Sequence, residues 1–211
     1  MIENDLGGVE RLTISYSDRF IRPKLSSLFA LDQRLAVLIR NSKEPLLSQL
    51  KLAWWRDVLS KPVSDRPIGE PLIEALNAPW RGSEGKLQML IDAWEGLLLK
   101  NGSPRSIAQN FIDVRINVFA DCFGNQEGAQ IAFRRWSCAD AAYHAKDQDE
   151  RKIFLELGSD FASGARSPGT SLRGLCILNV LSSRALNKGG GPLLDDTLSV
   201  LVALRVGIFG F

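Results

Sequence analysis

Four carboxylates and one amide stand at spacings that could hold a cation. Asp113, Asn117 and Asp121 recur every four residues, so on a helix their oxygens drift slowly along one face. Asp92 and Glu95 lie on the preceding segment. Oxygen ligands of this kind suit a hard cation such as Mg²⁺, which makes Asp92, Asp113, Asn117 and Asp121 a candidate metal set. The bland alternative is a solvated face beside the apolar stripe of Phe111, Val114 and Val118.

Asp140 and His144 form a second group, an i, i+4 pair that shares one helical face. Asp113, Asp121 and Asp140 are thus the candidate catalytic carboxylates. His144 is the only histidine of the chain, and no histidine-dependent triad is indicated. Four cations, Arg34, Arg40, Arg56 and Arg115, could receive phosphate oxygens directly, without a metal. Arg34 and Arg40 are six residues apart and do not share a face closely, so tertiary folding must bring such a pocket together.

The elements that would position these groups are helices. Apolar residues recur at i, i+3, i+4 and i+7 in nearly every segment between turn signals, and no period-two run appears. The first strong helix is expected over about Arg22 to Asn41, with Pro23 in its opening turn. Lys43-Glu44-Pro45 breaks it. A second helix is expected over about Pro45 to Ser60. Its apolar residues form two stripes, Leu46, Leu47, Leu50, Ala53, Trp54 and Val58 on one, Leu52, Trp55 and Leu59 on the other, as if it were buried on two sides.

Further helices are expected over Leu72 to Asn77, Lys86 to Lys100, Pro104 to about Phe123 and Gln126 to Ala145. Gly102 is suited to a C-cap and Ser103 to an N-cap before Pro104. Asp147 can cap the next helix, which ends near Gly164. The last pair runs over Ser171 to Asn187 and Leu193 to Ile208, around Gly189-Gly190-Gly191-Pro192. The fold class is therefore all-α, and helices of this length with short loops pack most simply as one antiparallel bundle, with ligand sites facing its interior.

Composition narrows the function. A chain of 211 residues with 45% hydrophobic content is ample for one domain, so residues 1–211 read as a single domain. A formal charge of +2, from 26 basic and 24 acidic residues, leaves no electrostatic footprint for nucleic acid. Cys122, Cys138 and Cys176 are far apart and lack metal-ligand spacing, which indicates neither a disulfide framework nor zinc and fits a reducing cytoplasm. Met1-Ile2-Glu3-Asn4-Asp5 is acidic and lacks the basic region of an export signal. The apolar run Leu198 to Phe211 is shorter than the roughly 20 residues of a membrane span. It reads as a terminal core helix, or alternatively as an interfacial element that contacts lipid or accepts a prenyl chain.

Lys51-Leu52-Ala53-Trp54-Trp55-Arg56-Asp57, with its two adjacent tryptophans, resembles the Leu-Ala-Trp-Trp-Arg signature of the squalene/phytoene synthases. Leu28-Phe29-Ala30-Leu31 looks like the start of that family's first helix, and Leu90 to Glu95 with Phe111 to Arg115 like the helices that follow. The resemblance implies an isoprenoid synthase bundle around an apolar tunnel, in which active members join two prenyl diphosphates head to head. Those members need Mg²⁺ to neutralise the leaving diphosphate, held by two Asp-rich motifs on facing helices. Where the first motif should stand the chain reads Ile39-Arg40-Asn41-Ser42-Lys43. For the second, Asp140 and His144 remain, while Asp147, Asp149 and Glu150 serve a helix start.

The resemblance therefore implies a catalytically degenerate relative that expects no cofactor and binds a prenyl lipid or a protein partner in or around its cavity, using Arg34, Arg40, Arg56 and Arg115. One alternative is an active transferase with Mg²⁺. Another is an assembly factor resembling the non-catalytic members that act on respiratory complex I. A cytoplasmic location, with peripheral contact at the inner membrane and no transmembrane segment, fits each.

Overall fold

The computed structural model describes residues 6–40, 44–159, 172–194 and 196–209. The described chain is all-helical and contains no strand. Its helices are α1 (Gly8–Ser15), α2 (Arg22–Arg40), α3 (Pro45–Ser60), α4 (Pro71–Asn77) and α5 (Glu84–Leu99). They continue as α6 (Pro104–Asp121), α7 (Glu127–His144), α8 (Gln148–Ser159), α9 (Arg173–Asn187) and α10 (Thr197–Phe209).

Local chemistry sets most of the boundaries. Proline opens α3, α4 and α6, where its missing N–H has no partner to lose. Ser103 Oγ accepts the Ser106 N–H at 3.2 Å ahead of α6, Asp147 Oδ1 accepts the Glu150 N–H at 2.8 Å ahead of α8, and Asp196 does the same for Ser199 at 2.6 Å ahead of α10. Each satisfies one of the orphan donors of a first turn. The end of α5 departs from expectation. Lys100 itself takes the left-handed cap, with φ at 52°, and Gly102 lies beyond it in the connection.

Helix α1 has no counterpart in the sequence reading, because it is eight residues long and opens on glycines without a side-chain cap. Packing holds it. It buries Val9, Thr13 and Ile14 and lies so close to α9 that a Cβ at Gly174 would collide with the Thr13 carbonyl and stand 2.6 Å from Ser17 Oγ. Helix α7 is the hub, packed against α6, α8 and α9. Around it Phe29, Phe119, Phe133 and Trp136 form an aromatic core, with Phe29 and Phe119 ring centres 4.9 Å apart and Phe29 edge-on to Trp136 at 5.2 Å.

Two helices bury less than expected. In α3 only Ser48, Leu52, Trp55, Val58 and Leu59 are buried, while Leu46, Leu47, Leu50 and Trp54 face outward. The helix is therefore buried on one side, not two. Helix α10 is a core helix on one narrow face only. It turns Ser199, Ala203, Val206 and Gly207 inward and leaves Leu198, Leu201, Leu204, Ile208 and Phe209 exposed. Small residues permit this close approach, for a Cβ at Gly207 would stand 2.7 Å from the Tyr16 ring. No helix among the described residues is long and apolar enough to cross a membrane. The expected helix ends at Asn41 and Gly164 lie outside the described residues.

Candidate functional site

The most polar ground in the interior lies where α1, α2, α6 and α7 meet. Helix α2 sends Phe29, Asp32, Gln33, Ala36 and Arg40 from one face, and α7 sends Trp136, Asp140, Tyr143 and His144 from another; both sets follow the three-and-four spacing of a helix. Arg115 enters from α6, Glu10 from α1, and Pro192 to Leu194 close one wall. Together they surround a cavity of about 340 Å³.

Arg115 occupies the centre and is 1% exposed. Its Nη2 donates to Asp32 Oδ2 at 2.5 Å and to Asp140 Oδ2 at 3.1 Å, so one guanidinium bridges carboxylates on facing helices. Asp32 also accepts the Trp94 indole N–H at 2.8 Å. The guanidinium carbon lies 4.1 Å from the Trp136 ring centre and 5.1 Å from that of Phe111, distances at which a π face attracts a cation. Nε and Nη1 have no hydrogen-bond acceptor among the described residues. Aromatic faces thus do for half of this cation what carboxylates do for the other half.

Burial dominates the electrostatics. It would lower the Arg115 pKa, but Asp32 and Asp140 outweigh it and hold the guanidinium charged. It likewise would raise Asp140, and there Arg115, His144 and Arg40 outweigh it, so this carboxyl stays well below the usual carboxylate range. In Asp32 burial wins over Arg115 and the pKa is raised. Burial also raises Glu10, against the pull of its hydrogen bonds, one of them from the Trp136 indole at 3.3 Å. Carboxylates a few residues apart in space therefore sit on opposite sides of their ordinary range.

His144 Nδ1 is 3.0 Å from the Asp140 carbonyl and 3.2 Å from its Oδ1. The i, i+4 pair read from sequence is thus formed, as an oriented acid–imidazole dyad. The dyad stands beside Tyr143, whose hydroxyl is the only one among the described residues that line the cavity. It can orient or exchange a proton with a polar ligand group.

The other candidate residues go elsewhere. Asp121 is held by Lys24 at 3.0 Å and by Lys86, and although burial opposes them the two ammonium groups keep its pKa low. Asp113 pairs with Arg134 at 3.1 Å and accepts from Gln109. Asp92 binds Arg56 at 2.6 Å, and Glu95 binds the same guanidinium. Asn117 joins none of these pairs. Arg34 lies 3.7 Å from Glu70 on the far side of α2. Of the four arginines only Arg40 and Arg115 meet at the cavity.

Mg²⁺ finds no fitting donor set here. Among the described residues no three His, Cys, Asp or Glu side chains converge as ligands. Asp32 and Asp140 do face each other across the bundle, but the positive charge between them is already supplied by Arg115, and each carboxylate of the Asp92, Asp113, Asp121 set is taken by its own cation.

Sequence reasoning missed Asp32 and Glu10. Asp32 follows directly on Leu28-Phe29-Ala30-Leu31, and a lone acidic residue in the middle of an apolar helix face was the available signal. Glu10 gave none. No protein-family model, no curated protein and no solved structure matches the chain.

Proposed function

We propose that this chain is a catalytically degenerate, squalene/phytoene synthase-like bundle that binds a prenyl lipid in the α1–α2–α6–α7 cavity and performs no diphosphate chemistry. One observation carries the reading: Arg115 stands between Asp32 and Asp140, where carboxylates on facing helices would otherwise be free for a metal. An internal cation cannot carry away a leaving diphosphate as a hydrated Mg²⁺ can, because it is locked in its own ion pairs.

The cavity suits an amphiphile. Its volume of about 340 Å³ is at the lower end of small-molecule sites, which span roughly 300–1,000 Å³. Val9, Phe29, Ala36, Trp136 and Leu194 supply an apolar wall, and Arg40, Gln33, Tyr143 and His144 a polar one. A short isoprenoid chain would lie along the first, with a hydroxyl or phosphate head at the second. The outward apolar face of α10 supports a cytoplasmic protein that meets its lipid at a membrane surface.

Thermal unfolding with farnesol and with farnesyl diphosphate, each with and without Mg²⁺, tests this, since a ligand of the native state raises the midpoint by mass action. The expected result is a shift with both ligands that Mg²⁺ does not change, and Arg40→Ala should weaken the diphosphate while sparing the alcohol. A shift that requires Mg²⁺, or turnover of the diphosphate, would overturn the reading in favour of an active transferase. No shift with either ligand would leave a protein partner as the occupant.

A further inference from the structure

The side of α3 that faces outward has the pattern of a helix meant to be covered. Leu47, Leu50 and Trp54 follow a three-then-four spacing, the seam of one helix packed against another. Leu46 is 68% exposed and Leu50 60%. Helix α2 adds exposed Val37 and half-buried Leu38, and the two helices border a groove of about 700 Å³. These side chains leave on the order of 500 Å² of apolar surface in water, the upper end of what monomers carry. Trp54 stands edge-on to buried Trp55, ring centres 5.2 Å apart, which fixes it in place as an anchor.

The charges beside this seam identify the occupant. Glu44 and Lys51 are seven residues apart, so both flank the seam on the same side, and they carry opposite charges. Both border the groove, and no ion pair involving either is among those of the described residues. In an antiparallel pair about a twofold axis, Leu47 of one helix meets Leu50 of the other. The same register sets Lys51 beside Glu44, and the symmetry forms that pair twice. In a parallel pair each of them would instead stand beside the partner's other flank, where Leu46 and Ala53 carry no charge, and no ion pair would form. We infer that α3 pairs antiparallel with α3 of a second copy, in an isologous dimer whose seam is Leu47, Leu50 and Trp54. Two such faces with their charged rims reach the roughly 1,200 Å² at which specific interfaces begin.

Sedimentation velocity of the full chain up to about 100 µM, where an interface of this size is populated, reads the outcome. The wild type should sediment as a dimer and Leu50→Glu as a folded monomer. Lys51→Glu places Glu against Glu and should raise the dissociation constant on the order of tenfold; Glu44→Lys should do the same, and the double exchange Glu44→Lys/Lys51→Glu should restore the dimer. These positions are exposed, so unchanged helical circular dichroism reports that each variant folds. A monomeric wild type, a dimer indifferent to Leu50→Glu, or a double exchange no better than the single ones would overturn the inference. Prenyl-lipid binding is read separately and would survive its failure.

Discussion

Arg115 and Trp136 stack at 4.1 Å in the middle of the bundle, and the same guanidinium is the only bridge between Asp32 and Asp140 among the described residues. A cation caged by aromatic faces and carboxylates is the arrangement a bundle of this kind could offer to a ligand. Here the protein fills it with its own side chain.

Replacing that side chain by one of similar length without charge strands two carboxylates. Arg115→Met should lower the unfolding free energy by about 3–5 kcal/mol, the cost of leaving a buried charge unpaired. Adding Asp32→Asn should recover part of the loss. Urea denaturation of the two variants measures both, and a cost below about 1 kcal/mol for Arg115→Met would show that the bridge contributes little.

Stability should peak at mildly acidic pH. Burial raises the Glu10 pKa above its unfolded value, so as pH falls toward the ordinary carboxylate range of about 4 the native state takes up this proton first and gains stability. Asp140 has the opposite sign, since its pKa is depressed; its contribution is complete above about 4 and is lost as pH falls further. Denaturation midpoints between pH 3 and 8 should flatten on the alkaline limb in Glu10→Gln and on the acid limb in Asp140→Asn.

Gly174 should tolerate no side chain. Gly174→Ala drives a methyl into the Thr13 carbonyl and Ser17 Oγ, which are backbone and buried hydroxyl rather than a flexible tip. A loss of about 1–3 kcal/mol is expected. Gly96→Ala is the control, for nothing stands within 4 Å of its Cβ inside α5, and it should gain about 0.5–1 kcal/mol from helix propensity.

The three cysteines should be silent in the native protein. All three are buried, and burial pushes the Cys122 and Cys138 thiols up to about 12, so almost no thiolate of either exists at pH 8. A disulfide reagent should react fast with all three only after unfolding. Rapid native labelling would mean that α6 and α7 open together far more often than their packing implies.

Much of the fold was legible because the signals are local. Pro45, Pro104 with Ser103, and Asp147 mark helix starts by chemistry confined to one turn, and α3 begins and ends where it was expected. The site was legible only as far as one helix reaches. Asp140 and His144 are one turn apart, and their contact follows from the helix itself. Asp32 meets Arg115 across 83 residues of sequence and Glu10 meets Trp136 across 126, separations at which periodicity carries no information. The ladder Asp113, Asn117, Asp121 misled for a related reason. Four-residue steps overshoot the 3.6-residue turn, so its two ends, about 12 Å apart along the axis, reach different neighbours, Arg134 at one and Lys24 with Lys86 at the other.

Helix α10 holds on by a narrow face of Ser199, Ala203, Val206 and Gly207, while Leu198, Leu201, Leu204, Ile208 and Phe209 already stand in water. Of its own larger apolar side chains, lifting it away would newly expose chiefly Val206 and Val202. The free energy of such an opening scales with the surface exposed, so α10 should open at lower cost than the hub helix α7, its amides exchanging with solvent by sub-global opening while those of α7 wait for the whole molecule to unfold.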